Sequence, residues 1–582
     1  MTDNHTQSLH KIPLTLGITG HRDLRDDDLD ILRKSVGQIF QFLRQQYPNT
    51  PLQLFSSLAD GADRLVAEVA LEEQIQLIVP LPMSQDLYEI DFQTPESKDE
   101  FLGLLKQAQV FELSLLDGNT SETIRNHGKA RTKQYALAGA YIARHSHILI
   151  ALWDGIWLGK AGGTSEVVQF KLTGEMKELP DNYQPQRGPL DIPDTGPVCQ
   201  VITSRQSGHP LDTAGEIRIR LPNQKHSGNQ LKDLLSNELE AQNQFNREVE
   251  ALPPKQQRRI INGQKHLLSE KLWANLLELS PAFQAMLGVY STANTLAIEA
   301  QSRINHSTMA VLIIAAAMMG LYGGYSSIEA NLTVLAGYLL LFLGATGILW
   351  WANKQHYHTK SLDYRALTEG LRVQIFWHLG GLTDSVADHY LRKQRGELTW
   401  IRSAIRAINV YDWVENRESL DNVHEHWIEH QRKWFAANTK KQQQKTNQLS
   451  LWVKGLFIFG ILLIVVMLIG QATGILQPGT LWHSGFILSI AIVPTAGALL
   501  HHYAEKMAFY EQAKQYERMT ELFAKASTEL NHILDQLRAQ DSATNQSDEP
   551  AKNILLELGK EALEENGDWV LLHRQKPLEL PK

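Results

Sequence analysis

The sequence predicts an α/β domain, a doubly wound parallel sheet, followed by a membrane α-helical region with four transmembrane helices in two hairpins. Two observations carry that reading. Residues 12–205 alternate short apolar or β-branched runs with helical patterns, and such βαβα order closes as a parallel sheet with helices on both faces. Residues 455–504 then run without one Asp, Glu, Lys or Arg, one of two apolar patches in a chain whose mean hydropathy is otherwise that of a soluble protein, with 43% hydrophobic residues. At 582 residues the chain has room for about three to four domains.

The strand-like runs are Leu14–Ile18, Leu52–Phe55, Gln76–Val79, Val110–Leu116, His147–Leu152 and Val198–Thr203, with helical patterns between them at Asp28–Gln46 and Ala62–Glu73. Leu179–Gly228 is rich in Pro, Gly and polar residues and reads as an excursion around the last strand. From Gln230 to about Asn305 the pattern is helical, broken at Leu252-Pro253-Pro254. The apolar runs Thr308–Tyr325 and Leu332–Trp351 are separated only by "SSIEAN"; Leu456–Ile469 and Leu481–Leu500 are separated by a turn containing "QPGT". With the uncharged residues that flank it, each can supply about 18–24 residues, near the ~20 that cross a bilayer, and Trp350, Trp351, Trp452 and Trp482 stand at their ends. The implied units are 1–205 (nucleotide-binding sheet), 206–305 (helical coupling region), 306–352 (first hairpin), 353–450 (helical segment), 451–503 (second hairpin), 504–540 (amphipathic helix) and 541–582 (linker, then a helix and a strand-like run at Trp569–His573).

Charge and cysteine usage narrow the function. A net charge of -8 gives no electrostatic support for nucleic-acid binding. With Cys199 the only cysteine, no internal disulfide exists, which fits a reducing compartment. The N-terminus has no apolar signal-peptide core. Neither hairpin turn carries Lys or Arg, whereas Arg303, Lys354, Lys360, Lys440, Lys441, Lys445, Lys454 and Lys506 lie outside the hairpins. The positive-inside rule therefore puts both termini and residues 352–450 in the cytoplasm.

After the hairpins come "HYHTKSLDYRALTEGLRVQIFW" and "HYAEKMAFYEQAKQYERMTELF", which share His-Tyr, then Tyr364 or Tyr510, then Arg372 or Arg518. This weak repeat suggests a duplicated unit of hairpin and amphipathic helix. Arg365, Glu369 and Arg372 share a helix face and read either as a surface ion-pair ladder or as a latch between helices. Ala316, Gly320 and Gly324 form a small-residue stripe for close helix packing. No charged residue lies within a span, which speaks against a proton pump or voltage sensor.

The candidate site lies at the carboxyl ends of the strands, where ligands bind in open parallel sheets. Four loops meet that edge. "GITGHRD" supplies Gly17, Gly20, His21 and Arg22; "SSLADGADRL" supplies Ser57, Asp60, Gly61 and Asp63; "LWDGIWLGKAGGTSEVV" supplies Lys160, Gly162, Gly163, Thr164 and Glu166; "TSR" ends in Arg205. Gly162 and Gly163 allow close backbone approach. Thr164 is positioned to cap the following helix, whose free N–H groups attract an anion. A Gly-rich turn that merely starts a helix is the plain alternative. "GIWLGKA" is one residue short of a P-loop and has Ala161 where a magnesium-binding hydroxyl belongs. "HWIEH" fits the HxxEH zinc-peptidase pattern through His426 and His430, with His424 nearby, but its charged surroundings read as a solvated helix. "RHSH" and "HYH" read as histidines with local hydrogen bonds, so no metal is expected.

"GITGHR", "SSLADGADRL", "LPM…Y…DF", "ALWDG" and "GGTSE" together resemble the SLOG superfamily, over roughly residues 12–205. That superfamily includes LOG nucleoside-monophosphate phosphoribohydrolases, DprA-like proteins and the N-terminal domains of TRP melastatin channels. "GGTSE" is similar to the LOG "PGGxGTxxE", which implies that Gly162, Gly163 and Thr164 meet phosphate and Glu166 faces the ribose. The chain departs from LOG enzymes by an insertion in "WDGIWLGKAGG", and Arg131 and Lys133 lie upstream of the LOG Arg-Lys position. The hairpins followed by "DYRALTEGLRVQIFW" and "YEQAKQYERMTELFAKA" resemble SLATT families, two-span effector modules of bacterial conflict loci, over about 285–540.

The resemblance implies a multi-pass protein of the bacterial inner membrane. Its SLOG-like domain is expected to bind a nucleotide-derived signalling ligand (NAD, ADP-ribose or a cyclic nucleotide) and to drive a pore or membrane disruption in antiviral defence. Its expected partners are the lipid bilayer, that small molecule and further copies of the chain, with no cofactor and no nucleic acid. The alternatives are a membrane-anchored LOG-type hydrolase using Glu166, and a transporter with a regulatory domain.

Overall fold

A computed structural model describes residues 11–159, 162–177, 179, 194–222, 230–254, 281–327, 332–391, 398–409, 418–477, 479–506, 508–539 and 548–574, with 256, 259, 260, 263, 267 and 268 besides. The N-terminal unit is a sheet flanked by helices. In chain order it comprises β1 (Leu14–Gly20), α1 (Leu29–Gln46), β2 (Leu52–Phe55), α2 (Ala62–Glu72), β3 (Gln76–Leu81), α3 (Pro95–Leu105), β4 (Gln109–Glu112), α4 (Lys129–His145), β5 (Ile148–Trp153), α5 (Thr164–Thr173), β6 (Val198–Ile202) and β7 (Ile217–Arg220). The spatial order is β4-β3-β2-β1-β5-β6-β7. β1 through β6 are parallel, with Leu16 opposite Leu54 on one side and Ile148 on the other. Because both faces are covered, β5 is buried along its whole length and reads as the continuous apolar run "ILIALW". On α1, the buried Leu32, Val36, Ile39, Phe40 and Leu43 recur at helical spacing and face this sheet.

β7 was not expected. It pairs antiparallel with β6, Cys199 opposite Ile219, and carries the sheet past residue 205 to Arg220. Its sequence "IRIR" alternates with period two, so Ile219 is buried on one face while on the other Arg218 is partly exposed and Arg220 donates to Gln200 at 2.8 Å and stacks over Trp153. Charges on a short edge strand discourage pairing with other chains.

The second unit is helical: α6 (Asn237–Glu250), α7 (Pro281–Ser327), α8 (Leu332–Lys354), α9 (Tyr357–Leu379), α10 (Thr399–Ile408), α11 (His430–Ala472), α12 (Leu481–Lys506), α13 (Phe509–Ala539) and α14 (Glu549–Arg574). Its core gathers Trp377, Trp400, Trp427, Phe376 and Phe523 from α9 to α13, with Phe376 stacked on Trp427 at 5.5 Å. Asn246 of α6 ties this body to the start of β1, accepting the Ile12 N–H at 2.9 Å and donating to the Ile12 carbonyl at 2.9 Å.

Four of these helices are long and apolar enough to cross a membrane, as expected for a multi-pass membrane protein: α7, α8, α11 and α12. Large apolar side chains point outward along them, among them Ile313, Leu340, Ile461 and Trp482, which only a lipid environment or a partner would cover. α11 has 43 residues, about 65 Å of helix against a hydrocarbon core of about 30 Å, so it continues far beyond the bilayer. In the second hairpin Gly460 packs against Pro494, where an added Cβ would come within 2.8 Å of the proline ring. Of the expected stripe, Ala316 is exposed and Gly320 faces open space, while the surroundings of Gly324 lie outside the described residues.

The structure changes two other expectations. Trp569–His573 is not a strand; it lies within α14, because Leu555, Leu558, Leu563, Asn566 and Val570 bury one face at helical spacing. α14 docks on α9, where Trp377 Nε1 donates to the Leu555 carbonyl at 3.0 Å. The "HWIEH" segment is not solvated. It forms a π-helical turn, His424–Glu429, with Trp427 and Ile428 buried and His424 Nε2 3.0 Å from Ser527 Oγ. Among the described residues no three His, Cys, Asp or Glu side chains come together to hold a metal.

The repeat is present in the structure, in a different register. Each hairpin gives way to α9 or α13 at a break that ends in a left-handed residue, His356 (φ 52°) or Ala508 (φ 49°). Aligning the breaks pairs Tyr364 with Tyr516, Leu367 with Met519, Thr368 with Thr520, Glu369 with Glu521 and Leu371 with Phe523. Thr368 and Thr520 make the same bond, each hydroxyl donating at 2.7 Å to the carbonyl four residues before it, that of Tyr364 or Tyr516. α9 packs along α7 as α13 packs along α11.

Candidate functional site

β1 has β2 on one side and β5 on the other, so the chain reverses direction across the sheet between β1 and β5. The crevice beyond their carboxyl ends is the expected ligand position in this topology. A cavity of about 290 Å3 lies there, lined by Gly20, His21, Arg22, Ser57, Asp63, Gly162, Gly163, Thr164 and Arg205. Four loops far apart in sequence thus converge, and the glycines of the first three set the spacing. Gly61 has φ 79°, and a Cβ on it would sit 2.4 Å from the Arg22 carbonyl oxygen. That close approach lets the Ala62 N–H donate to the His21 carbonyl at 3.0 Å and locks the second loop onto the first. Thr164 does not cap α5, whose N-cap is Gly163; as the first helical residue it donates its hydroxyl to the Gly20 carbonyl at 2.9 Å. The start of α5 is thereby pinned over the end of β1, with its free N–H groups at the cavity.

The wall is polar, and among the described residues Arg22 is its available cation. The Arg22 guanidinium lies 5.6 Å from the centre of the Tyr135 ring and makes no hydrogen bond among the described residues. His21 Nε2 accepts the Asp154 N–H at 3.1 Å, and burial holds its pKa below the usual histidine range, so the ring is neutral. Asp154 also takes the Arg205 Nε–H at 3.0 Å, joining the rims of β1, β5 and β6. Burial pushes the Asp63 carboxyl up to about 7, against the opposing pull of Arg22. Sequence reasoning did not name Asp154, Tyr88 or Tyr135 as site residues; Asp154 was visible in "ALWDG" and Tyr88 in "LPM…Y…DF", while Tyr135 arrives from α4 with no loop motif.

The remaining predicted residues stand elsewhere. Gly17 is inside β1, where its missing side chain admits Ile142 of α4. Asp60 accepts from Ser97 Oγ at 2.6 Å and pairs with Arg64 at 2.8 Å. Glu166 accepts the Gly162 N–H at 2.6 Å and so braces the glycine loop from behind. Lys160 lies outside the described residues. Arg131 is buried and bound to Asp91 at 2.7 Å, a structural pair beneath Tyr135.

α4 connects this cavity to the helical body. Tyr135, Ala138, Gly139 and Ile142 line the cavity, and Arg144 near the helix end pairs with Asp388 of the body. Arg406 of α10 pairs with Asp388 at 2.9 Å and also with Asp194 of the sheet unit, which Arg402 reaches at 3.0 Å. The neighbouring histidines are held as structural groups: His145 Nδ1 lies 2.9 Å from the Tyr141 carbonyl, and His147 Nδ1 2.7 Å from Thr15 Oγ1. α10 packs in turn on α9, where Gly370 admits Ile405.

No family model matches this chain, and no curated protein matches it.

Proposed function

We propose that this protein is a membrane-anchored sensor and effector. Its sheet cavity binds a nucleotide-derived ligand of the NAD, ADP-ribose or cyclic-nucleotide kind, and its four spans respond as a pore or by disrupting the bilayer. The observation that carries this reading is the convergence of "GITGHR", "DGADR" and "GGTSE" on one cavity at the switch point, on a helix that ends in the joint to the membrane-spanning body. A glycine loop, a helix N-terminus and a free arginine suit a phosphate, and the tyrosines suit a ring. The resemblance to SLOG and SLATT modules adds the setting: the bacterial inner membrane, both termini cytoplasmic, antiviral defence. A hydrolase using Glu166 is less well supported, since that carboxylate is engaged by the Gly162 N–H and does not line the cavity.

The test is to incubate the full chain in liposomes with ADP-ribose, NAD or a cyclic nucleotide. The ligand should be recovered chemically unchanged while dye leakage rises. Repeated turnover without leakage would overturn the reading in favour of the hydrolase. Orientation has its own test. Cys199 is fully buried, so single cysteines can be labelled against a quiet background. Ser327→Cys and Gln477→Cys should react from outside intact cells, and Gln442→Cys only after permeabilisation; the opposite pattern would invert the topology.

Asp63 gives the proposal a pH signature. Below about 7 its carboxyl is neutral in the folded protein; above, it carries a negative charge beside the cavity. A proton is therefore retained when an anion binds, and affinity for a phosphate ligand should fall as pH rises through 7, by up to about tenfold per unit. Calorimetry with ADP-ribose from pH 6 to 8.5 measures this. Asp63→Asn should flatten the curve, and an unchanged slope in that variant would assign the titration to another group.

A further inference from the structure

A second cavity, of about 650 Å3, lies in the helical body, between the two copies of the repeat. One wall comes from α9, with Arg365, Thr368, Glu369 and Arg372; the facing wall comes from α13, with Tyr516, Met519 and Phe523; α7, α11 and α14 close the sides. The copies have diverged where they face this space. Arg365 stands opposite Glu517 in the repeat alignment and Arg372 opposite Ala524, so one copy supplies cations and the other aromatic and apolar surface.

Three features of the lining describe an occupant. First, two buried donors have no hydrogen-bond partner among the described residues: Trp569 Nε1, on a residue only 6% exposed, and Arg372 Nε. A buried unsatisfied N–H costs about 1–3 kcal/mol, and a ligand carrying acceptor oxygens would satisfy both. Second, aromatic surface is plentiful. Trp427, Trp434 and Phe435 line the cavity, and the Arg365 guanidinium stacks 4.2 Å from the Trp569 ring centre. Third, charge is nearly balanced. Arg365 and Arg372 face Glu369, 2.6 Å from Arg372, and Glu565, whose carboxyl burial pushes up to about 7. The small net charge disfavours a polyphosphate, which suits the sheet cavity better. The volume lies within the range of small-molecule sites.

We propose that this cavity is a second small-molecule site, taking a planar aromatic ligand, neutral or singly charged, whose oxygens accept from Trp569 and Arg372. The inference stands independently of what the sheet cavity binds. Because α7 and α9 belong to the first hairpin's unit and α11 and α13 to the second's, an occupant bridges the two units just outside the membrane. It favours whichever arrangement of the hairpins holds it best.

Nucleobases and aromatic carboxylates share this chemistry, so the probes are uridine and salicylate, titrated into the full chain in lipid nanodiscs by calorimetry. At least one should bind saturably at one site per chain. Ser302→Trp, at an exposed lining position on α7, should fill the opening; Trp434→Ala, on a half-exposed ring, should remove part of the aromatic wall. Each should weaken binding about tenfold or more, corresponding to about 1.4 kcal/mol, with helicity and melting temperature unchanged. If Trp434→Ala does not fold, Ser302→Trp alone decides. Absence of saturable binding by both probes, or binding that survives Ser302→Trp, would overturn the proposal.

Discussion

Asp388→Ala should lower the stability of the protein by about 3–5 kcal/mol and abolish ligand-dependent leakage while leaving the sheet cavity able to bind. Asp388 accepts from two arginines, Arg144 of the sheet unit and Arg406 of the body. Those two arginines and Arg402 hold its carboxyl and that of Asp194 well below the usual carboxylate range despite burial, with Asp194 at about 2. Removing one partner of a buried pair costs more than the pair contributes, because it leaves a desolvated charge behind; here two guanidiniums lose a partner, and among the described residues only Arg406 keeps another acidic one, Asp194. The sign with pH follows. A depressed carboxylate contributes stability above its unfolded value, near 4, and loses it as pH falls through the folded one. The joint is therefore fully charged at neutral pH, and acid should open it only below about pH 4. Thermal melting followed with leakage measures both effects. A variant that melts as wild type does would show that Asp194 alone secures Arg406. One that melts earlier but still leaks on ligand addition would place coupling elsewhere.

The joint was also the least legible part of the sequence. Arg144, Asp194, Asp388 and Arg406 come from four distant segments, and no local pattern brings such residues together. The sheet was legible for the opposite reason: strands buried on both faces must be apolar throughout, and "ILIALW" or "LTLGI" between helical patterns admits few other readings. β7 escaped because four residues of alternating Ile and Arg are masked by the Pro- and Gly-rich stretch before them. Most of the cavity was readable, since turn chemistry concentrates glycine where backbone approaches backbone, as at Gly61 and Gly162. What spacing could not supply was direction: Glu166 is one turn into α5, as read, but its carboxylate turns back to the Gly162 N–H. The repeat was misaligned by matching His-Tyr pairs. Its true register is set by where the helix breaks, at His356 and Ala508, a backbone feature that residue identities do not announce.

Gly163→Asp should reduce nucleotide affinity by about 10²-fold or more and remove ligand-dependent leakage, with the fold intact. Gly163 is the N-cap of α5, with φ -82° and ψ 163°, an extended conformation open to any residue. Aspartate is among the preferred residues at that position, because its carboxylate accepts the orphan N–H groups of the first turn. The substitution should therefore leave stability unchanged or raise it slightly. The same carboxylate would take up the N–H groups and the partial positive charge that would otherwise receive a phosphate, and it would stand as a like charge beside the ligand. Such juxtaposition costs several kcal/mol, and every 1.4 kcal/mol is tenfold in affinity. Gly163→Ala is the control: it adds a methyl group without charge or acceptor and should retain most of the affinity. Calorimetry with ADP-ribose on both variants, beside circular dichroism, separates loss of site from loss of fold. Two outcomes carry different lessons. If Gly163→Asp binds as wild type does, the phosphate does not sit at the start of α5. If binding is lost but leakage persists at full ligand concentration, the membrane responds to something other than occupancy of the sheet cavity.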